Sequence, residues 1–152
     1  MKNLGTVTLE TERLILRKTR QNDAEQMFRN WANNERVTKY MTWPPYKSVE
    51  QLETTYHKFL LDNQGKPDFY DWKIELKDIC EPIGAISVVQ LRENIEAATI
   101  GYCLGYNWWH KGIMSEAFKE IIRFLFENVG LNRIEAYHDP RNPHSGDVMK
   151  KR

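Results

Sequence analysis

Cysteine is scarce in this chain, with two among 152 residues, Cys80 and Cys103. They lie far apart and match neither a disulfide framework nor a metal-ligand spacing. No apolar run approaches the length of a membrane span, and the polar N-terminus lacks the apolar core of a signal peptide. A reduced cytosol without membrane attachment is therefore the expected setting. Charge of one sign is also missing: 22 Lys and Arg stand against 21 Asp and Glu, a formal net charge of +1. Such a balance exerts no general pull on nucleic acid or lipid surfaces. His138 and His144 come without further ligands, so no metal is expected. Repeats, low-complexity tracts and linker-like stretches are absent, and 1–152 reads as one domain able to bury a core.

The periodicities that are present divide the chain into elements. Met1 to Thr11 is a weakly patterned leading arm, and Leu14, Ile15 and Leu16 make a short strand. Asn22 and Asp23 supply an N-cap for a helix carrying Ala24, Met27, Phe28 and Trp31. Pro44 and Pro45 stiffen the loop from Asn33 to Tyr46. Ser48, with Gln51 three residues on, makes a capping box for a second helix, whose Leu52, Tyr56, Phe59 and Leu60 keep helical spacing up to Gly65-Lys66-Pro67. Three strands then follow across short turns, Trp72 to Leu76, Ile83 to Val89 and Ala97 to Leu104, as an antiparallel meander. A long helix from Ile113 leads at crossover length to a fifth strand, Arg133 to His138, parallel to the fourth. The expected fold is α/β (α+β), a mixed, mostly antiparallel central sheet flanked by helices.

The densest chemistry lies from Ile100 to Ala117, where a strand gives way to a short basic loop and then a helix. A helix N-terminus has unpaired N–H groups and about half a positive charge, so an anion placed there gains hydrogen bonds and a favourable dipole. Gly112 lets backbone approach a ligand closely, and Lys111 adds a full charge. The helix is amphipathic. Ile113, Met114, Ala117, Phe118, Ile121, Ile122, Leu125 and Phe126 share one face, opposite Glu116, Lys119, Glu120, Arg123 and Glu127.

The stretch Tyr-Asn-Trp-Trp-His-Lys-Gly-Ile-Met-Ser-Glu-Ala, 106 to 117, resembles the acyl-CoA pyrophosphate loop of the GCN5-related N-acetyltransferases, in the branch similar to ribosomal-protein N-terminal acetyltransferases. Three more blocks resemble that branch in the same order: Thr11 to Arg17, Trp43 to Gln51, and Arg133 to His138 followed by Asn142-Pro-His-Ser145. Within the loop, Trp109, His110 and Met114 depart from the family's residues. The family continues with two further strands beyond the helix that starts near Asn142, so the resemblance implies a C-terminally truncated fold. On that basis Arg133 to His138 is an open edge that invites a homodimer, and Lys150-Lys151-Arg152 closes a helix.

The resemblance implies acetyl-CoA as cosubstrate and a primary amine, a protein N-terminus or a small amine, as acceptor. Implied cofactor contacts are Tyr102, Cys103 and Leu104 on the fourth strand, His110, Lys111, Gly112, Ile113, Met114 and Ser115 in the loop and first turn, and Asn142 on the pantetheine arm. Ser145 stands where the branch places a hydroxyl that protonates the departing thiolate, and it reads equally as a helix cap. Many members carry Glu where this chain has Thr99, which leaves Glu96, a water chain or another residue as base; Glu96 also reads as a solvated turn residue. Cys103 reads as a small strand residue or a neighbour of the thioester, and Trp43, Trp108 and Trp109 as packing or as walls of an acceptor cleft. A catalytically impaired CoA-binding or oligomerisation module is the alternative reading.

Overall fold

The computed structural model describes residues 1–34, 45–136 and 148–150. Among them seven strands form one sheet in sequence order: β1 Leu9–Glu10, β2 Leu14–Arg17, β3 Asp71–Leu76, β4 Glu81–Arg92, β5 Ala97–Leu104, β6 Arg133–Ala136 and β7 Val148–Lys150. The helices are α1 Ala24–Met27, α2 Val49–Thr54, α3 Tyr56–Asn63 and α4 Ile113–Phe124. Neighbouring strands run antiparallel except β5 and β6. That parallel pair is the one joined by a helical crossover, α4.

Two apolar cores sit on opposite faces of the sheet. Ile113, Ala117, Ile121 and Phe124 of α4 pack with Leu14, Leu16, Trp72, Ile74, Ile86 and Ile100, and each large side chain buried there stabilises the fold by about 1.5–3 kcal/mol. On the other face Met27, Trp31, Leu52 and Leu60 close a smaller core. The polar positions that alternate along β3 therefore do not meet water: Lys73 is 0% and Glu75 7% exposed. Lys73 pairs with Asp71, whose other oxygen accepts from the Ser87 hydroxyl at 2.7 Å.

Several sequence expectations are corrected. The outer side of β6 is not an open edge, because Val148–Lys150 runs antiparallel along it and pairs Glu135 with Val148; its backbone groups are satisfied by the chain itself. Lys150 accordingly ends a strand rather than a helix. The second helix is broken at Thr55, φ −121 and ψ −97, and Tyr56 then turns in towards Asp71 and Ser87, where burial and the Asp71 charge hold its phenol well above its ordinary pKa. Ser48 caps α2 as expected by accepting from the Gln51 amide at 3.1 Å. Gln51 returns the bond one residue earlier, to the Lys47 amide at 2.7 Å.

Asp23 is not a side-chain cap for α1. Its carboxylate grips the buried Arg17 guanidinium at 2.9 and 3.0 Å, while Arg17 Nε donates to Glu75 at 2.8 Å. Burial alone would lower the Arg17 pKa, but its hydrogen bonds to Asp23 and Glu75 outweigh it and hold the pKa above its ordinary value. Replacing Arg17 strands two carboxylates in a covered site. Arg17→Met should therefore lower the unfolding free energy by about 3 kcal/mol or more, seen as an earlier urea midpoint with an unchanged slope.

Candidate functional site

Among the described residues β5 pairs with β6 from Ala97 to Ile100, and its last residues, Gly101 to Leu104, lead into the loop before α4. Trp109 closes the end of β5: its indole N–H donates to the Leu104 carbonyl at 2.8 Å, and its ring meets Tyr106 edge-on at 5.0 Å. Gly105 is required by this close packing, since a Cβ there would stand 2.6 Å from the Asn30 carbonyl oxygen and from the Trp108 ring.

The loop then takes two left-handed residues on either side of Lys111, His110 at φ 63 and Gly112 at φ 73. Glycine tolerates that conformation freely, whereas histidine is held in it by its surroundings. Gly112 is the N-cap of α4 and offers no side chain to the helix. The first bond within the helix runs from the Glu116 amide to the Gly112 carbonyl at 3.1 Å, so Ile113, Met114 and Ser115 lack helical partners for their amides. The first turn of α4 and Lys111 border a cleft of about 410 Å³ lined by Tyr102, Leu104, Trp108, Trp109 and the segment from His110 to Ser115. A concave, mostly apolar wall with backbone donors and one cation is suited to an anion carrying an apolar arm.

Glu116, in the first turn, faces away from this role. It accepts from the Thr11 hydroxyl and from the Arg13 amide at 2.9 Å, and it pairs with Arg13 Nε at 2.7 Å. Burial would raise its pKa, but the bonds from Thr11 and Arg13 prevail and hold the carboxyl below its ordinary range.

The structure thus brings together Tyr102, Leu104, His110, Lys111, Gly112, Ile113, Met114 and Ser115 around one cleft. Cys103 is not on that wall. It packs with the core under α1 to α3, in the cross-strand row Lys73, Ala85, Cys103. As a residue it is half-buried, and burial, only partly offset by Lys73, pushes its thiol pKa up to about 12. Glu96 is not brought to the cleft either. It precedes the eight residues of β5, about 26 Å from the Leu104 end at strand spacing, where it bonds the Met1 amine at 2.9 Å and Asn132 at 3.1 Å. Thr99 accepts from Arg92 at 3.3 Å and lies opposite Glu135 of β6. Trp43, His138, Asn142, His144 and Ser145 fall outside the described residues. Sequence reasoning missed Arg13, whose signal was only an arginine ahead of a strand.

No helix among the described residues is long and apolar enough to cross a membrane, and no cluster of metal-binding side chains occurs among them. The sequence profile of the acetyltransferase (GNAT) domain matches residues 13–152. The uncharacterized N-acetyltransferase p20 of Bacillus licheniformis is 37% identical over 91% of this chain and 76% of its own length. The ribosomal protein uS5-alanine N-acetyltransferase of Escherichia coli is 27% identical over 98% of this chain and 78% of its own. Among solved structures, the microcin C7 self-immunity acetyltransferase, in complex with acetyl-CoA and AMP, shares the fold with a TM-score of 0.68 at 22% identity, over 83% of this chain and 69% of that one.

At pH 8 a thiol with a pKa of about 12 is ionised in about one molecule in ten thousand. Iodoacetamide should therefore modify the exposed Cys80 and spare Cys103 until denaturant is added, as peptide mass mapping would show.

Proposed function

The chain belongs to the acetyltransferase (GNAT) family, and we propose that it moves an acetyl group from acetyl-CoA to a protein N-terminal α-amine or to another primary amine of similarly low basicity. The observation that carries the reading is the start of α4. An N-cap glycine leaves the first-turn amides uncapped from within, beside Lys111 in a cleft large enough for a phosphorylated arm. The residues present therefore fit a CoA diphosphate, with the amides of Gly112 to Ser115 and the Lys111 charge as its holders. Tyr102 and Leu104 extend the apolar wall towards the stretch of β5 from Gly101 to Cys103, whose backbone groups suit the pantetheine arm and the acyl carbonyl.

When bound, acetyl-CoA supplies an activated acyl carbon and a thiol leaving group. The neutral amine nitrogen forms the new C–N bond as the C–S bond breaks; the nitrogen sheds one proton to solvent and, so that protons balance, the departing sulfur takes one up. Ser145 is our candidate donor for that proton, and Asn142 our candidate holder of the pantetheine arm.

Thr99 bears on the acceptor, because a hydroxyl there accepts no proton at neutral pH. Deprotonating a lysine amine at pH 7 costs about 4.6 kcal/mol, against about 1 kcal/mol for an α-amine with a pKa near 7.8. A site with threonine in place of a carboxylate is better matched to the α-amine. The uS5-alanine N-acetyltransferase among the relatives supports the same choice.

Acetyl-CoA should raise the melting temperature, and thiol release should be faster with peptides bearing a free α-amine than with Nα-blocked lysine peptides. Faster release with the blocked peptides would overturn the acceptor assignment. Absence of any thermal shift would overturn the cofactor assignment. Ser145→Ala should lower kcat by about 100-fold, as loss of a general acid does, with little change in KM for acetyl-CoA.

A further inference from the structure

We infer that Arg13 is a positioning residue for the diphosphate-binding loop, an inference that rests on the acetyl-CoA reading above. Arg13 stands just ahead of β2, remote in sequence from the loop, yet it touches both ends of the loop's last turn. Its Nε donates to Glu116 Oε1 at 2.7 Å and its backbone amide to Oε2 at 2.9 Å. Its Nη1 donates to the Lys111 carbonyl at 3.1 Å. Nη2 lies 3.7 Å from the point where a Cβ on Gly112 would stand.

Two consequences follow for an anion. First, the backbone holds no cis peptide, and in a trans peptide the C=O and the next N–H point in opposite directions. Holding the Lys111 oxygen against the guanidinium therefore sends the Gly112 N–H away from the clamp and keeps a carbonyl dipole from turning towards a phosphate. Second, Glu116 places a negative charge in the first turn of α4, where it would repel a diphosphate. Arg13 and Thr11 hold that carboxylate on the β2 side, and the Arg13 charge offsets it. The left-handed turn at Gly112 is thus braced from outside the loop.

The planar fork grips Glu116 and the Lys111 carbonyl through separate nitrogens held at a fixed spacing; an ammonium has the charge without that geometry. This separates positioning from simple electrostatic attraction. Calorimetric titration of acetyl-CoA into the wild type, Arg13→Ala, Arg13→Gln and Arg13→Lys tests it, with melting temperatures measured alongside. All three variants should bind acetyl-CoA about tenfold more weakly, the factor produced by about 1.4 kcal/mol, while melting within a few degrees of the wild type. Inorganic pyrophosphate should lose potency as a competitor in the same proportion, which locates the loss at the diphosphate. If the alanine variant does not fold, the glutamine variant carries the comparison. Wild-type affinity in the alanine or glutamine variant, or full restoration by lysine, would overturn the inference alone. Failure of the wild type itself to bind acetyl-CoA would overturn the cofactor reading beneath it.

Discussion

Burial of the apolar face of α4 against the sheet is the constraint from which the site follows. Ile113 and Ala117 of its first turns are 3% and 0% exposed, so the helix cannot slide along the sheet or rotate without exposing them. Its N-terminus is therefore fixed near the end of β5, and the eight residues from Gly105 to Gly112 must span that short gap. They do so by pulling Trp109 onto the Leu104 carbonyl and by using left-handed backbone at His110 and Gly112. The chemistry of the loop is a product of this packing: its amides are free because Gly112 has no side chain to cap them, and they stay in place because the helix behind them is held.

The bracing of that loop also comes from a distance. β2 contributes Leu14 and Leu16 to the core under α4, and the residues just ahead of it, Thr11 and Arg13, reach the first turn of the same helix. One strand thus anchors α4 twice, by apolar contact beneath and by charge-assisted hydrogen bonds at the tip. An isolated, exposed ion pair would contribute little, but Glu116 accepts three bonds from a single short segment, so its geometry is strongly determined.

Much of this was legible in the sequence because periodicity carries it. The meander, the crossover and the amphipathic helix all follow from spacing, and the cleft lining from Lys111 to Ser115 follows from a glycine at a helix start. What was not legible depends on which layer each face meets. Alternation of Trp72, Ile74 and Leu76 with Lys73 and Glu75 identifies a strand but does not say that both faces are covered, and here Lys73 lies under the second core. The same alternation puts Tyr102 and Leu104 on the cleft wall and Cys103 on the opposite face. Glu96 lies only three residues before Thr99 in sequence, yet it stands outside β5 in a left-handed turn, φ 52, where its carboxylate meets the Met1 amine and Asn132. The cover over β6 was missed for a different reason: three residues, Val148–Lys150, suffice to pair a four-residue strand, too short a run for any periodicity to reveal.

The two faces of β5 also differ in chemistry. The face towards α4 is apolar and leads into the anion cleft, whereas the opposite face carries Thr99 and Cys103, in rows continuing to Glu135 on β6 and to Ala85 and Lys73 on β4 and β3. Between Ala97 and Ile100 the pairing with β6 separates these faces. The two faces are thus unequal: Tyr102 and Leu104 continue the apolar face into the cleft at the start of α4, while on the other Arg92 donates to Thr99 at 3.3 Å and pairs with Glu135 at 3.5 Å. The charge on that face is therefore balanced between neighbouring strands and is not carried by an isolated carboxylate.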